Sequence, residues 1–229
     1  MMDINRRLQA LVPAGSAGGC LDPAAYWNAR PRVLWVLKET NGVMGRSLPH
    51  FLQAEMDEGD VWGRIWRMVG ACSNGIHEGR LDFSADHPMA GDSSRAYRGL
   101  TKIAVTNVKK TPGKGTAHPD VLWEWMRTHY REFCAELAIL QPDLVICGGT
   151  WDLVAGWIGY RHGVAESKCG EYWSLNLNID VCGDVFGFHP RGGGLPVVAA
   201  PHPAARGRVT KTYRQTVGAA LWALGRRVP

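Results

Sequence analysis

Residues 32–42 read RVLWVLKETNG. Positions 33–37 are apolar without a break, with neither a helical nor an alternating period, as expected of a strand buried on both faces of a parallel sheet. The run stops at Lys38-Glu39-Thr40-Asn41-Gly42, read as a polar loop closed by an Asn-Gly turn signal. Three more segments repeat the pattern of apolar strand followed by polar end. Residues 102–106 (KIAVT) lead into Asn107-Val108-Lys109-Lys110-Thr111-Pro112. Residues 144–147 (LVIC) end in Gly148-Gly149, and residues 197–200 (VVAA) deliver a His-Pro turn at His202.

Helical stretches lie between these strands. Residues 48–58 and 61–72 read as helices; in the second, Trp62, Ile65, Trp66 and Val69 recur at helical spacing, which assigns them to the core. The clearest helix spans 119–140, with Asp120 as its expected cap and Gln141-Pro142 as its stop. Shorter helices are read at 3–11, 23–29 and 150–158, and a closing helix at 210–224. Residues 74–94 read as an irregular surface loop. Strands alternating with helices predict an α/β fold: a single domain over 1–229 with a central, mostly parallel four-stranded sheet and helices on both faces. Residues 1–30 form an N-terminal extension in this reading, and 159–194 a glycine-rich β-hairpin insertion.

Composition bounds the function classes. The chain has 229 residues, 45% apolar and 21% charged, with a formal charge of +5 and ten tryptophans. The basic balance points toward an anionic partner such as nucleic acid, and tryptophan supplies both core area and stacking surface. No apolar run approaches the ~20 residues of a membrane span. The apolar patch at the N-terminus is too short for a signal-peptide core, so a cytoplasmic location and no membrane partner are expected. The six cysteines include no C-x-x-C pair, which gives no zinc ribbon and no disulfide framework. Nucleotide-cofactor motifs of the G-x-x-x-x-G-K-[ST] and G-x-G-x-x-G kinds are absent.

In open α/β sheets ligands sit beyond the carboxyl ends of the strands. Four strand ends here offer a carboxylate (Glu39), an amide (Asn107), a glycine pair (Gly148-Gly149) and an imidazole (His202). Cations at Lys38, Lys109, Lys110, Arg206, Arg208, Lys211 and Arg214 are placed to meet phosphates. Each residue also has an ordinary structural role open to it. Glu39 could be a salt-bridged acid, Asn107 a turn former, His202 a satisfied turn histidine, and the cations a solvated surface. His189-Pro190 repeats the His-Pro pair but follows no clean buried strand.

Taken in order, VLWVLKETNG, AVTNVKKTP, FCAELAILQPDLVICGG and VVAAPHPAARG resemble the motifs of the uracil-DNA glycosylase superfamily. They are most similar to the bacterial and archaeal branch that often carries an iron–sulfur cluster. The resemblance covers about residues 32–221 and implies roles. Glu39 would position water or stabilise the cationic sugar, Asn107 would read the edge of a pyrimidine, and His202 would donate to a base carbonyl as negative charge grows there. Phe51 falls near the family's stacking aromatic. The implied partner is DNA, and a monomer is expected. Of the cluster's cysteines, Cys134 matches one, Thr111 stands in place of another, and Cys20 is at best shifted. A cluster needs all its thiolates, so no cofactor is expected.

The function implied is a monofunctional DNA glycosylase that flips out a base and hydrolyses its N-glycosidic bond. Uracil is the default target, and a modified pyrimidine, such as a bulky modified cytosine of viral DNA, is compatible. A non-catalytic nucleic-acid-binding protein of the same fold and a nucleoside or nucleotide hydrolase are the alternatives.

Overall fold

The computed structural model describes residues 3–12, 15, 17–41, 47–57, 64–81, 94–113, 118–154, 186–188, 195–204 and 209–225. Its centre is one sheet of six strands: β1 (Gly19–Cys20), β2 (Val33–Asn41), β3 (Ile103–Gly113), β4 (Leu144–Gly148), β5 (Phe186–Phe188) and β6 (Val197–Ala200). The spatial order is β1-β3-β2-β4-β6-β5. The four expected strands form its parallel interior. The four-stranded expectation is corrected by two antiparallel edges, β1 on β3 and β5 on β6. The two residues of β1 are too few to carry a hydrophobic period, so no sequence pattern announces that strand. β5 falls within the hairpin insertion expected at 159–194, the rest of which lies outside the described residues.

Alternation across the pleat sends successive side chains to opposite faces, and each face has its own core. Val33, Trp35, Leu37, Ile103, Val105, Ile146 and Val198 meet α3 (Leu48–Asp57), α4 (Arg64–Glu78), α5 (Ser94–Thr101) and α7 (Val209–Ala223). Leu34, Val36, Ala104, Val145, Cys147 and Val197 meet α1 (Ile4–Leu11), α2 (Pro23–Asn28) and α6 (Pro119–Leu140). The segment read as an N-terminal extension belongs to this second core. Leu8 and Tyr26 are fully buried, and the Tyr26 hydroxyl donates to Leu140 O at 3.0 Å. Asn5 takes the place of a further strand beside β1, its amide donating to Cys20 O and accepting from Cys20 N–H.

Several boundaries differ from expectation. β2 does not end at Leu37 and β3 does not end at Thr106; both run on through polar residues. α4 continues past Cys72 through Ser73 and takes in residues 74–78 of the expected loop. It does so because Ser73 is buried and satisfied: its hydroxyl donates to Val69 O and accepts from the Trp35 indole at 3.0 Å. α5 falls at the end of the same supposed loop. α6 begins after His118 with no side-chain cap; Asp120 lies in its first turn rather than at the cap. The helix ends where Gln141, in left-handed conformation, precedes Pro142. None of the described helices is long and apolar enough to cross a membrane.

Candidate active site at the carboxyl edge of the sheet

From β2 the chain crosses to β3 on one side of the sheet, then returns through α6 to β4 on the other. The direction of winding therefore reverses between β2 and β4, where parallel sheets open a crevice for ligands. Thr150, just beyond β4, closes the floor of this crevice by donating from its buried hydroxyl to Val36 O at 2.8 Å. Nothing in the sequence marks Thr150 apart from its place after Gly148-Gly149.

The strand registers put the expected residues at this edge. Leu37 is level with Asn107, and Gly148 with Ala200. Beyond that level β2 and β3 continue as a two-stranded ribbon with Glu39 beside Lys109. The register then shifts: β2 advances two residues to Asn41 while β3 advances four to Gly113. Pro112, which has no N–H to give a ladder, lies in the extra length of β3. Its carbonyl turns back toward Lys109 Nζ at 3.3 Å.

Glu39, Asn107 and Lys109 share one face of the ribbon by alternation. The Glu39 side chain is only 6% exposed, and Lys109 Nζ donates to its Oε2 at 2.8 Å. Oε1 has no hydrogen-bond partner among the described residues. Gly113 is needed beside it, because a Cβ there would run into the Glu39 carboxylate. Asn107 is buried, and its amide has no hydrogen-bond partner among the described residues, which leaves a donor and an acceptor uncommitted.

His202 lies in the His-Pro turn that follows β6, as read from the sequence. The Ala204 N–H donates to His202 Nδ1 at 3.2 Å. An N–H can only donate, so Nδ1 is the unprotonated nitrogen and the neutral ring carries its proton on Nε2. Burial, and then the charge of Lys38, holds the imidazole below its ordinary pKa, favouring this neutral form. The turn rests directly on the end of β4. A Cβ at Gly148 would meet Leu37 and Pro203, and one at Gly149, whose φ is +68°, would lie 3.0 Å from His202 Cβ. The glycine pair thus allows a close backbone approach, and what approaches is the His-Pro turn.

The remaining expected residues divide. Phe51, on α3, is partly buried against the core that holds Trp35. Lys211 and Arg214 are exposed on α7. Arg206, Arg208 and His189 lie outside the described residues. Lys110 is a correction: it is not a surface cation. It points to the opposite face from Lys109, where its side chain is 5% exposed, its ammonium bridges Glu136 Oε2 at 2.7 Å, and it also donates to Thr106 Oγ1. Such a group has no free charge to offer a phosphate.

Among the described residues, the positions matched to the cluster do not make an iron–sulfur ligand set. Thr111 lines a cavity whose described walls carry no thiol. Cys20 is buried in β1, where burial, followed by Asp22 and Asp3, pushes its thiol well above the ordinary range and opposes a thiolate. The described residues hold no group of three or more His, Cys, Asp or Glu able to share a metal. The chain matches no protein-family model and no curated protein.

Proposed function

We propose that this protein is a monofunctional DNA glycosylase of the uracil-DNA glycosylase superfamily type, acting on an extruded pyrimidine. The observation that carries the reading is the tautomer of His202. A neutral imidazole that carries its proton on Nε2 can donate to a base oxygen that becomes anionic as the glycosidic bond breaks, and fixed donors at developing charge are a large catalytic term. Asn107 adds an uncommitted buried amide, able to donate and accept as the edge of a pyrimidine requires. Glu39 supplies a carboxylate whose Oε2 is fixed by Lys109, leaving Oε1 for water or for the electron-poor sugar. Lys38, Lys211 and Arg214, with Arg206 and Arg208, would meet the DNA backbone. Extruding the base costs a few kcal/mol, least in single strands or mispairs. Uracil is the first substrate to try, and larger modified cytosines follow.

The test is incubation with oligonucleotides containing uracil or a modified cytosine, followed by alkali and by mass spectrometry of released bases. The expected result is a free base and an alkali-labile abasic site. Folded protein that releases no base from any of them overturns the enzyme reading. One observation favours a second reading, a DNA-binding protein of this fold without catalysis: the Glu39 carboxylate is nearly buried and already paired, as a purely structural acid would be. That protein would bind DNA with strong salt dependence and leave it intact. Turnover of free nucleosides would instead indicate a nucleoside hydrolase.

A further inference from the structure

On the face of the sheet away from Glu39, a cavity of about 270 Å3 lies between α1, the outer part of β3 and α6. Val12, Val108 and Phe133 give it apolar walls. That volume is just under the usual range for ligand pockets, about 300–1,000 Å3, and suits a molecule of one or two rings. Trp125 and His129, one turn apart on α6, also line it, with their rings stacked at 4.0 Å and 9°. Their hydrogen bonding is incomplete in complementary ways. The Trp125 Nε1–H is buried and has no partner among the described residues. At His129 the helix departs from helical dihedrals, and Nδ1 lies 3.0 Å from Trp125 O. A carbonyl only accepts, so Nδ1 carries the proton, and in the neutral ring Nε2 is left as an acceptor.

A buried, unpaired indole N–H is costly unless something fills the role of partner. We propose that this cavity is a second binding site, for a neutral planar heterocycle with an amide-like edge: a carbonyl or ring nitrogen to accept from Trp125 and an N–H to donate to His129. Anions are disfavoured. Glu132 lines the cavity, and the Lys110 ammonium at its wall is already neutralised by Glu136. The site shares no residue with the carboxyl-edge crevice, so it stands whether or not the protein is a glycosylase.

The test uses 2-pyridone as probe and 15N-labelled protein. The Trp125 indole cross-peak is identified by its loss in Trp125→Phe. The expected result is a saturable shift of that cross-peak. Affinity should be about tenfold weaker for N-methyl-2-pyridone, which lacks the donor, and about tenfold weaker for 2-pyridone in the Trp125→Phe variant. Should that variant fail to fold, the affinities of the two pyridones, measured by calorimetry on the unaltered protein, decide the matter alone. No saturable shift at millimolar probe, equal affinity for the two pyridones, or equally tight binding of benzoate overturns the proposal.

Discussion

Lys109 and Lys110 are neighbours in the chain and opposites in the fold. Both sit on β3, both are paired with a glutamate, and each reaches across to a different element. Lys109 meets Glu39 on the adjacent strand at the rim of the sheet, and Lys110 meets Glu136 on α6 inside the second core. The pairs differ in their surroundings. Glu136 accepts from both Lys110 and the Thr106 hydroxyl on Oε2, while its Oε1, which has no hydrogen-bond partner among the described residues, is shut inside the core with a side chain 1% exposed. Glu39 also has an Oε1 without a partner among them, but it lies at the rim beside the Asn107 amide and is 6% exposed. A pair enclosed in the core holds a helix to a sheet, whereas a pair at the rim can hold a carboxylate ready for something else.

Removing one partner of each pair breaks the comparison most directly. Lys110→Met leaves Glu136 buried without its cation and should cost about 3–5 kcal/mol of folding free energy, with Lys110→Met/Glu136→Leu recovering most of it. Urea unfolding of the two variants checks this, and a loss under about 1 kcal/mol in the single variant would mean the pair is not enclosed. The same substitution at Lys109 should cost clearly less stability.

The rim pair is probed by function. Glu39→Gln and His202→Ala should each lower base excision by at least about a hundredfold, the range of positioned proton-transfer and charge-stabilising groups. DNA affinity, read by anisotropy, should change by less than about threefold, since phosphate contacts supply most of it. Parallel losses in excision and binding would make Glu39 as structural as Glu136.

The pH dependence sharpens the picture at His202. Its folded pKa is lowered, so as pH falls through about 6.5 the unfolded chain takes up its proton first. Stability is then lost on the acid side until the folded imidazole also titrates. Excision should fall on the acid limb with an apparent pKa below about 6.5, and His202→Gln should lose that limb. An unchanged profile in the variant would remove His202 from the reaction.

The smallest effect belongs to a third pair, Arg32 with Asp143, which is partly exposed. Burial pushes the Asp143 carboxyl up, but the Arg32 side chain and backbone N–H outweigh it and hold the carboxyl below its ordinary value. A depressed carboxylate stabilises above its unfolded pKa of about 4 and stops doing so as pH falls through the folded value. Asp143→Asn should therefore cost under about 1 kcal/mol at neutral pH, a difference that disappears in unfolding curves taken at low pH.

The sequence made the interior of the sheet legible because parallel strands are buried on both faces: VLWVL and LVIC have no polar positions to confuse the pattern. It misread the rim for the converse reason. Beyond Leu37 and Thr106 the strands carry polar residues, so Lys38-Glu39 and Asn107-Val108-Lys109 look like loop although the ladder continues through them. The side to which each lysine points depends on the β3 register, which no residue announces, so Lys109 and Lys110 read as one basic run. His202 and Asn107 were legible as candidates because each lies close after an apolar run. The tautomer of His202 was not, since it depends on a turn that brings the Ala204 N–H back to the ring.

The bare Cα of Gly113 against the Glu39 carboxylate has a genetic consequence. Any codon change that writes a side chain at 113 dislodges an acid more than seventy positions upstream without altering it, and Gly149 stands in the same relation to His202. In a survival screen scored on whatever phenotype the gene confers, these two glycines should be as intolerant as the groups they touch, while Lys211 and Arg214 accept most single replacements. The outline of the site can then be drawn from the pattern of lost alleles before any substrate is in hand.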